Sequence, residues 1–273
     1  MDLKVSSTIG FERKHQPLLQ IADRDEFVRK ATAALGPQPP NFRNIVALNR
    51  GPLVMEAVEA HPLNPRQVQQ AETDGALVVD VRTELQFDEA HIPGAICITS
   101  RRAGFGSKLA WLARPEQPLV LVGRDDEDAR EAAALAVAVG LRNLAGYLAG
   151  GMTSWREDKL AVERVQRLTV PELRELWGSE DRRPQVLDVR ERDEWDAGHI
   201  PGSIHVPYHD IRDVPDGIDP ARPVAVICGS GQRSAVAVGL LQRHGAEHVI
   251  HVVESGVPLW TRNGWPTEQP QTT

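Results

Sequence analysis

Cysteine is scarce in this chain: Cys97 and Cys228 are the only two in 273 residues. Two thiols cannot build a disulfide framework, and free thiols persist in a reducing compartment, so the cytoplasm is the expected location. Long apolar runs are also missing; no stretch approaches the roughly 20 residues of a membrane span. Met1-Asp2-Leu3-Lys4-Val5-Ser6 shows no basic start leading into an apolar stretch, so no signal peptide is read there. Positive charge is not in excess either. A net charge of −7 leaves no footprint for nucleic acid and little attraction to an anionic membrane. His205, His209, His244, His248 and His251 lie close in sequence, but no cysteine accompanies them at zinc spacing. No metal or organic cofactor is expected. A 41% hydrophobic and 25% charged composition suits a globular protein, and the length suggests about two domains.

The most informative stretch runs from Val224 to Ser234. Val224-Ala225-Val226-Ile227 is a short run rich in β-branched residues, which predicts a buried strand ending at Cys228. Gly229, Ser230, Gly231 and Gln232 come next, and then an apolar-periodic helix from about Ser234 to Gln242. A strand, a Gly-rich loop and a helix start put backbone N–H groups and the positive end of a helix dipole around the thiol. Both favour the thiolate, which is the nucleophilic form. Arg233 adds a positive charge at the end of the loop. Cys97, inside Ala95-Ile96-Cys97-Ile98, has no such loop and reads as a small buried hydrophobe on a strand.

From about Leu63 the chain repeats itself. Val78-Val79-Asp80-Val81-Arg82 matches Val186-Leu187-Asp188-Val189-Arg190, and His91-Ile92-Pro93-Gly94 matches His199-Ile200-Pro201-Gly202, both at an offset of 108. The strand from Pro118 to Val122 matches that from Pro223 to Ile227 at an offset of 105. The same offset relates the Gly151 to Trp155 stretch to the Gly256 to Trp260 stretch. Asn64-Pro65 and Thr169-Val170-Pro171-Glu172 are helix starts in both copies. The result is a tandem duplication with domains at 63–160 and 166–268. Short apolar strands alternate with helices in each, which predicts an α/β fold with a mainly parallel sheet flanked by helices. Ligands of such sheets sit beyond the carboxyl ends of the strands, where Cys228, Asp188 and Arg190 would share one rim. His91 and His199 precede an Ile-Pro-Gly turn in both copies and are read as turn braces. Residues 1–52 differ: Asp23 to Leu35 and Asn41 to Asn49 read as helices, with no strand pattern. This helical extension is expected to dock on the rest or stay loosely attached.

Asp188-Val189-Arg190-Glu191, the Glu194 to Ser203 stretch, Cys228-Gly229-Ser230-Gly231-Gln232-Arg233-Ser234 and Gly256 with Trp260 together resemble the rhodanese family. These are sulfurtransferases that carry sulfane sulfur as a cysteine persulfide. The resemblance spans about Leu63 to Pro266 and implies a small sulfur-containing anion or persulfide as substrate. It makes Cys228 the sulfur acceptor and Gly229 to Arg233 the cradle of the persulfide. Arg190 becomes a substrate contact, with Asp188 bracing the rim. The Ser6 to Arg13 and Pro39 to Gly51 stretches resemble the tail of the metallo-β-lactamase-fold domain in persulfide-dioxygenase-like fusion proteins. That domain's His-x-His-x-Asp-His motif is absent, so its activity is not carried over.

The first copy is expected to be catalytically silent, because its loop reads Gly123-Arg124-Asp125-Asp126-Glu127-Asp128-Ala129. Glycine replaces the cysteine, Asp128 replaces Arg233, and the carboxylates would repel an anion. The acidic run reads as a solvated loop. Cysteine phosphatases also use a thiolate, an anion cradle and an arginine, but their loop is longer than the four residues between Cys228 and Arg233. A short loop suits one sulfur atom better than a phosphate. The expected activity is sulfur transfer from thiosulfate, mercaptopyruvate or a low-molecular-weight persulfide, through Cys228, to a thiol or cyanide. The alternative is a non-enzymatic persulfide carrier or thiol sensor working with a persulfide-oxidising partner.

Overall fold

The computed structural model describes residues 6–33, 37–51 and 58–270. The Met1 to Val5 start, the expected helix end at Leu35 and the junction at residue 52 lie outside the described residues. The extension contributes α1 (Ile9–His15), α2 (Arg24–Ala33) and α3 (Phe42–Arg50). Asp23 accepts the Glu26 N–H at 2.7 Å, capping α2. Asn41 ties the extension to the first repeat, its Nδ2 donating to the Val139 carbonyl at 3.0 Å.

The first repeat runs β1 (Pro62–Leu63), α4 (Pro65–Thr73), β2 (Leu77–Asp80), α5 (Glu84–Glu89), β3 (Ile96–Cys97), α6 (Phe105–Leu112), β4 (Leu119–Val122), α7 (Asp126–Ala138), β5 (Leu144–Leu148) and α8 (Gly151–Glu157). The second runs β6 (Gln166–Leu168), α9 (Val170–Trp177), β7 (Gln185–Asp188), α10 (Arg192–Asp196), β8 (Ile204–His205), β9 (Val224–Ile227), α11 (Gln232–Arg243), β10 (Val249–Val252) and α12 (Gly256–Arg262). The anticipated caps are in place: Asn64 with Gln67, and Thr169 with Glu172, form reciprocal capping boxes that satisfy otherwise orphaned backbone donors.

Each repeat folds into a five-stranded sheet, ordered β1-β5-β4-β2-β3 and β6-β10-β9-β7-β8. All the strand pairs in these two sheets are parallel. Parallel sheets are covered on both faces, which is why β4 and β9 are continuous apolar runs rather than alternating ones. The alternation appears instead in where the side chains go. Val224, Val226 and Cys228 join a core continuous with the first repeat, while Ala225 and Ile227 face a separate core with Val252 and Trp260. Cys228 therefore points to the side of its sheet that meets the other repeat. α11 covers that side and rests directly on β3: a Cβ on Gly239 would lie 2.7 Å from the Ala95 carbonyl oxygen and 3.0 Å from Ile96 Cα. No described helix is long and apolar enough to cross a membrane.

Candidate active site

The site begins where β9 ends. Cys228 is the first residue beyond that central strand and is fully buried. The chain turns at Gly231, whose φ of 92° lies in the left-handed region that glycine adopts freely, and α11 starts one residue later. That turn aims two amides at the sulfur: Gly231 N–H lies 3.1 Å and Ser230 N–H 3.4 Å from Sγ. Ser234 Oγ is 3.5 Å from the same atom. The positive end of the helix dipole adds to both donors. Behind the loop, Val257 N–H donates to the Cys228 carbonyl at 2.9 Å. A Cβ on Gly256, at φ 34°, would lie 1.7 Å from that oxygen, so the close approach requires glycine.

Arg233 does not point at the sulfur. Its guanidinium forms a two-pronged pair with Glu194, with Nη2 2.9 Å from Oε1, and Glu191 lies 4.0 Å away. Burial works against the Arg233 charge, yet Glu194, with Cys228 adding, holds its pKa above the ordinary value. Burial likewise works against the Glu194 charge, and the hydrogen bonds and charge of Arg233 outweigh it, lowering that pKa. Glu191 in turn lies 3.1 Å from His209 Nε2, and that ring stacks on Trp111 of the first repeat at 4.1 Å.

Two expected rim residues are paired with each other. Arg190 Nε is 2.9 Å from both Asp188 oxygens, and its Nη2 donates to the Gly198 carbonyl at 2.9 Å. Both side chains are buried. These bonds occupy Nε and Nη2 of Arg190. Arg82 makes the same contacts in the first repeat, with Asp80 (2.9 Å) and the Ala90 carbonyl (2.8 Å). A pair kept in both copies locks the strand end to the following turn, which fits the bracing role expected of Asp188. His91 and His199 serve the same turns. They stack on Phe87 (3.7 Å) and Trp195 (3.4 Å), and their Nδ1 atoms lie 2.8 and 3.1 Å from those residues' carbonyls.

The first repeat reaches the site through groups that carry no sequence signal. Lys108 of α6 donates to Gln232 Oε1 at 3.2 Å. Burial, and then Arg233, push its pKa below the ordinary lysine value. Lys108 and Gln232 line a small cavity between the repeats with Glu84, Thr99, Val236 and Cys97. Cys97 sits on β3 as expected, although nearer to the loop than its sequence context suggests. Burial, followed by the charges of Asp80, Asp88 and Glu84, pushes its thiol well above the usual range, which keeps it protonated.

At the equivalent place in the first repeat the pocket is filled. A Cβ on Gly123 would lie 2.6 Å from both Ala129 N and Asp125 O. The acidic run is not a freely solvated loop. Asp125 caps α7 by accepting the Asp128 N–H at 2.8 Å, and Asp126 accepts the Gly150 N–H at 2.8 Å. Asp128 is buried and binds Arg124 at 3.1 Å.

The model of the rhodanese-like domain matches residues 64–158 and again 169–263. A putative sulfur carrier protein, YrkF of Bacillus subtilis (strain 168), is 35% identical over 81 residues, which is 30% of this chain and 43% of that protein. This chain thus spans less than half of that relative. The thiosulfate sulfurtransferase GlpE of Pseudomonas syringae pv. syringae (strain B728a) is 34% identical over 86 residues, covering 32% of this chain and 79% of that protein. Among solved structures, a rhodanese-related protein from Thermoplasma volcanium is 33% identical, with a TM-score of 0.33 over 38% of this chain and 97% of that one.

Proposed function

Because the chain belongs to the rhodanese-like domain family, we propose that it is a sulfurtransferase in which Cys228 carries the sulfur and the first repeat is catalytically silent. The observation that carries this reading is the pair of N–H groups from Ser230 and Gly231 directed at Cys228 Sγ. In the first half-reaction the Cys228 thiolate attacks the outer sulfur of a donor. A new S–S bond forms as the donor's own bond to that sulfur breaks, and the electron pair leaves with sulfite, pyruvate enolate or a thiolate. Cys228 is left as a persulfide whose terminal sulfur bears the negative charge, facing the loop amides. An acceptor thiolate or cyanide then attacks that terminal sulfur, and the Cys228 thiolate departs. Both steps balance without a metal or organic cofactor.

The entrance favours some donors over others. Arg233 is neutralised by Glu194, and Glu191 stands beside it, so little net positive charge greets a dianion. A low-molecular-weight persulfide therefore suits the site better than thiosulfate. Full burial of Cys228 gives weight to a second reading, a persulfide carrier that exchanges sulfur with a persulfide-oxidising partner. Intact-mass measurement after exposure to thiosulfate, mercaptopyruvate and a small persulfide tests the proposal. One sulfur atom should add to the wild type and none to Cys228→Ser, with Cys97→Ser unaffected. A wild-type protein that gains no sulfur from any donor would remove it. Loading that is slow with every small donor yet rapid from a protein persulfide would select the carrier.

A further inference from the structure

The cradle is held from behind by a histidine whose sequence context fits no zinc site. His251, in β10, is buried, and its Nε2 lies 2.8 Å from the Gly231 carbonyl oxygen. Its Nδ1 lies 2.8 Å from Oδ2 of Asp88, which belongs to α5 of the first repeat. A carbonyl oxygen can only accept, so Nε2 must carry a proton. Asp88 Oδ2 also accepts from Arg167 Nη1 at 2.9 Å, so the carboxylate that meets the ring is itself tied to β6 of the second repeat.

We infer that the first repeat positions the reactive loop of its neighbour: Asp88 fixes the ring of His251, and His251 clamps the Gly231 carbonyl at the turn whose amides face the Cys228 sulfur. Asp88 and His251 are positioning residues, and the inference rests on the reading of Cys228 as the sulfur-carrying nucleophile. The clamp acts at a point of convergence. The Gly231 carbonyl accepts from His251, from Ser234 Oγ at 2.9 Å and from the Ala235 N–H at 3.0 Å. Three donors fix the peptide plane after Gly231, which anchors the turn at the residue whose own N–H, in the plane before it, lies 3.1 Å from Sγ. The charged groups facing the ring are Asp88 from α5 and Arg167 from β6, with the Cys228 thiol beyond Gly231. The couple is not a duplicated feature, since the repeat offsets place Asp196 and Gly146 at the positions of Asp88 and His251. It exists only across the seam between repeats.

The test is the pH profile of Cys228 alkylation by iodoacetamide, mapped by mass, in the wild type, Asp88→Asn and His251→Gln. Ring-nitrogen NMR of the wild type accompanies it. His251 Nε2 should carry a proton in the wild type, as its bond to the Gly231 carbonyl requires. Both variants should alkylate about tenfold more slowly at pH 7 and shift their profiles to higher pH, the effect of about 1.4 kcal/mol against the thiolate. An unprotonated His251 Nε2, or profiles superimposable on the wild type in folded variants, would overturn the inference. The NMR arm stands even if a variant fails to fold. No sulfur donor enters either measurement, so a protein that shows the shift but never loads sulfur would reject the proposed function alone.

Discussion

The loops after β4 and β9 leave equivalent strands at the centres of equivalent sheets, yet they use their backbones differently. After β9, the amides of Ser230 and Gly231 turn inward to a thiol. After β4, the corresponding loop satisfies itself: Asp125 takes the Asp128 amide, and Asp128 takes the Arg124 amide and guanidinium. The space a thiol would need is closed by backbone, with Ala129 N and Asp125 O each 2.6 Å from the would-be Cβ of Gly123. Loss of the nucleophile is therefore more than the absence of one sulfur atom. The first loop has collapsed into an ordinary helix start, and the scaffold around it, including the buried Asp–Arg pair at the adjacent strand end, is unchanged.

The strongest test of that comparison concerns what the two halves share. Arg82→Ala and Arg190→Ala should each destabilise the protein by about 3–5 kcal/mol in urea unfolding, because each leaves a buried carboxylate without its partner. A much smaller cost for Arg190 than for Arg82, together with a raised KM, would assign Arg190 to substrate binding. A smaller effect probes what the halves do not share. Gly123→Cys should cost about 1–3 kcal/mol by overpacking and should yield no second sulfur adduct. A second sulfur on the introduced thiol would mean that the silent loop is only an unarmed copy.

The smallest effect isolates the Glu194–Arg233 pair, which the first repeat lacks, by pH. Glu194 is held below the usual carboxylate value of 4.5, so the folded form binds its proton less readily than the unfolded one. Stability from its pair with Arg233 is then complete above the unfolded value and is lost as pH falls through the lowered folded value. At 35% and 22% side-chain exposure, solvent screening limits the pair to about 0.5–1 kcal/mol. Glu194→Gln should melt slightly below the wild type at pH 7, and the gap should close as pH falls below the usual carboxylate value. A gap that persists in acid would mean that Glu194 acts through packing rather than charge.

Interactions within a few residues were legible in the sequence, because spacing alone encodes them. The caps at Asn64 and Thr169, the turn histidines, the strand ending at Cys228 and the repeat itself belong to this class. The cradle was legible too, as a glycine-rich step from strand to helix, although α11 begins at Gln232 rather than near Ser234. The partners that complete the site were not. Glu194 lies 39 residues from Arg233, Lys108 lies 124 from Gln232, and Asp88 lies 163 from His251. Such pairs are set by sheet order and by the packing of α11 on β3, neither of which leaves a periodic trace. Arg190 was read as facing a ligand from a strand's carboxyl end, and its bonds to Asp188, two residues earlier, were not anticipated.

The seat of α11 on β3 has a further meaning for how variation in this chain would be scored. Gly239 meets the Ala95 carbonyl and Ile96 without room for a methyl group, and the helix it belongs to starts at the cradle. The first repeat is a wall of its neighbour, and on the proposed reading of Cys228 a change at Ala95 or Asp88 would surface in a genetic screen as a defect at that residue, more than a hundred residues downstream.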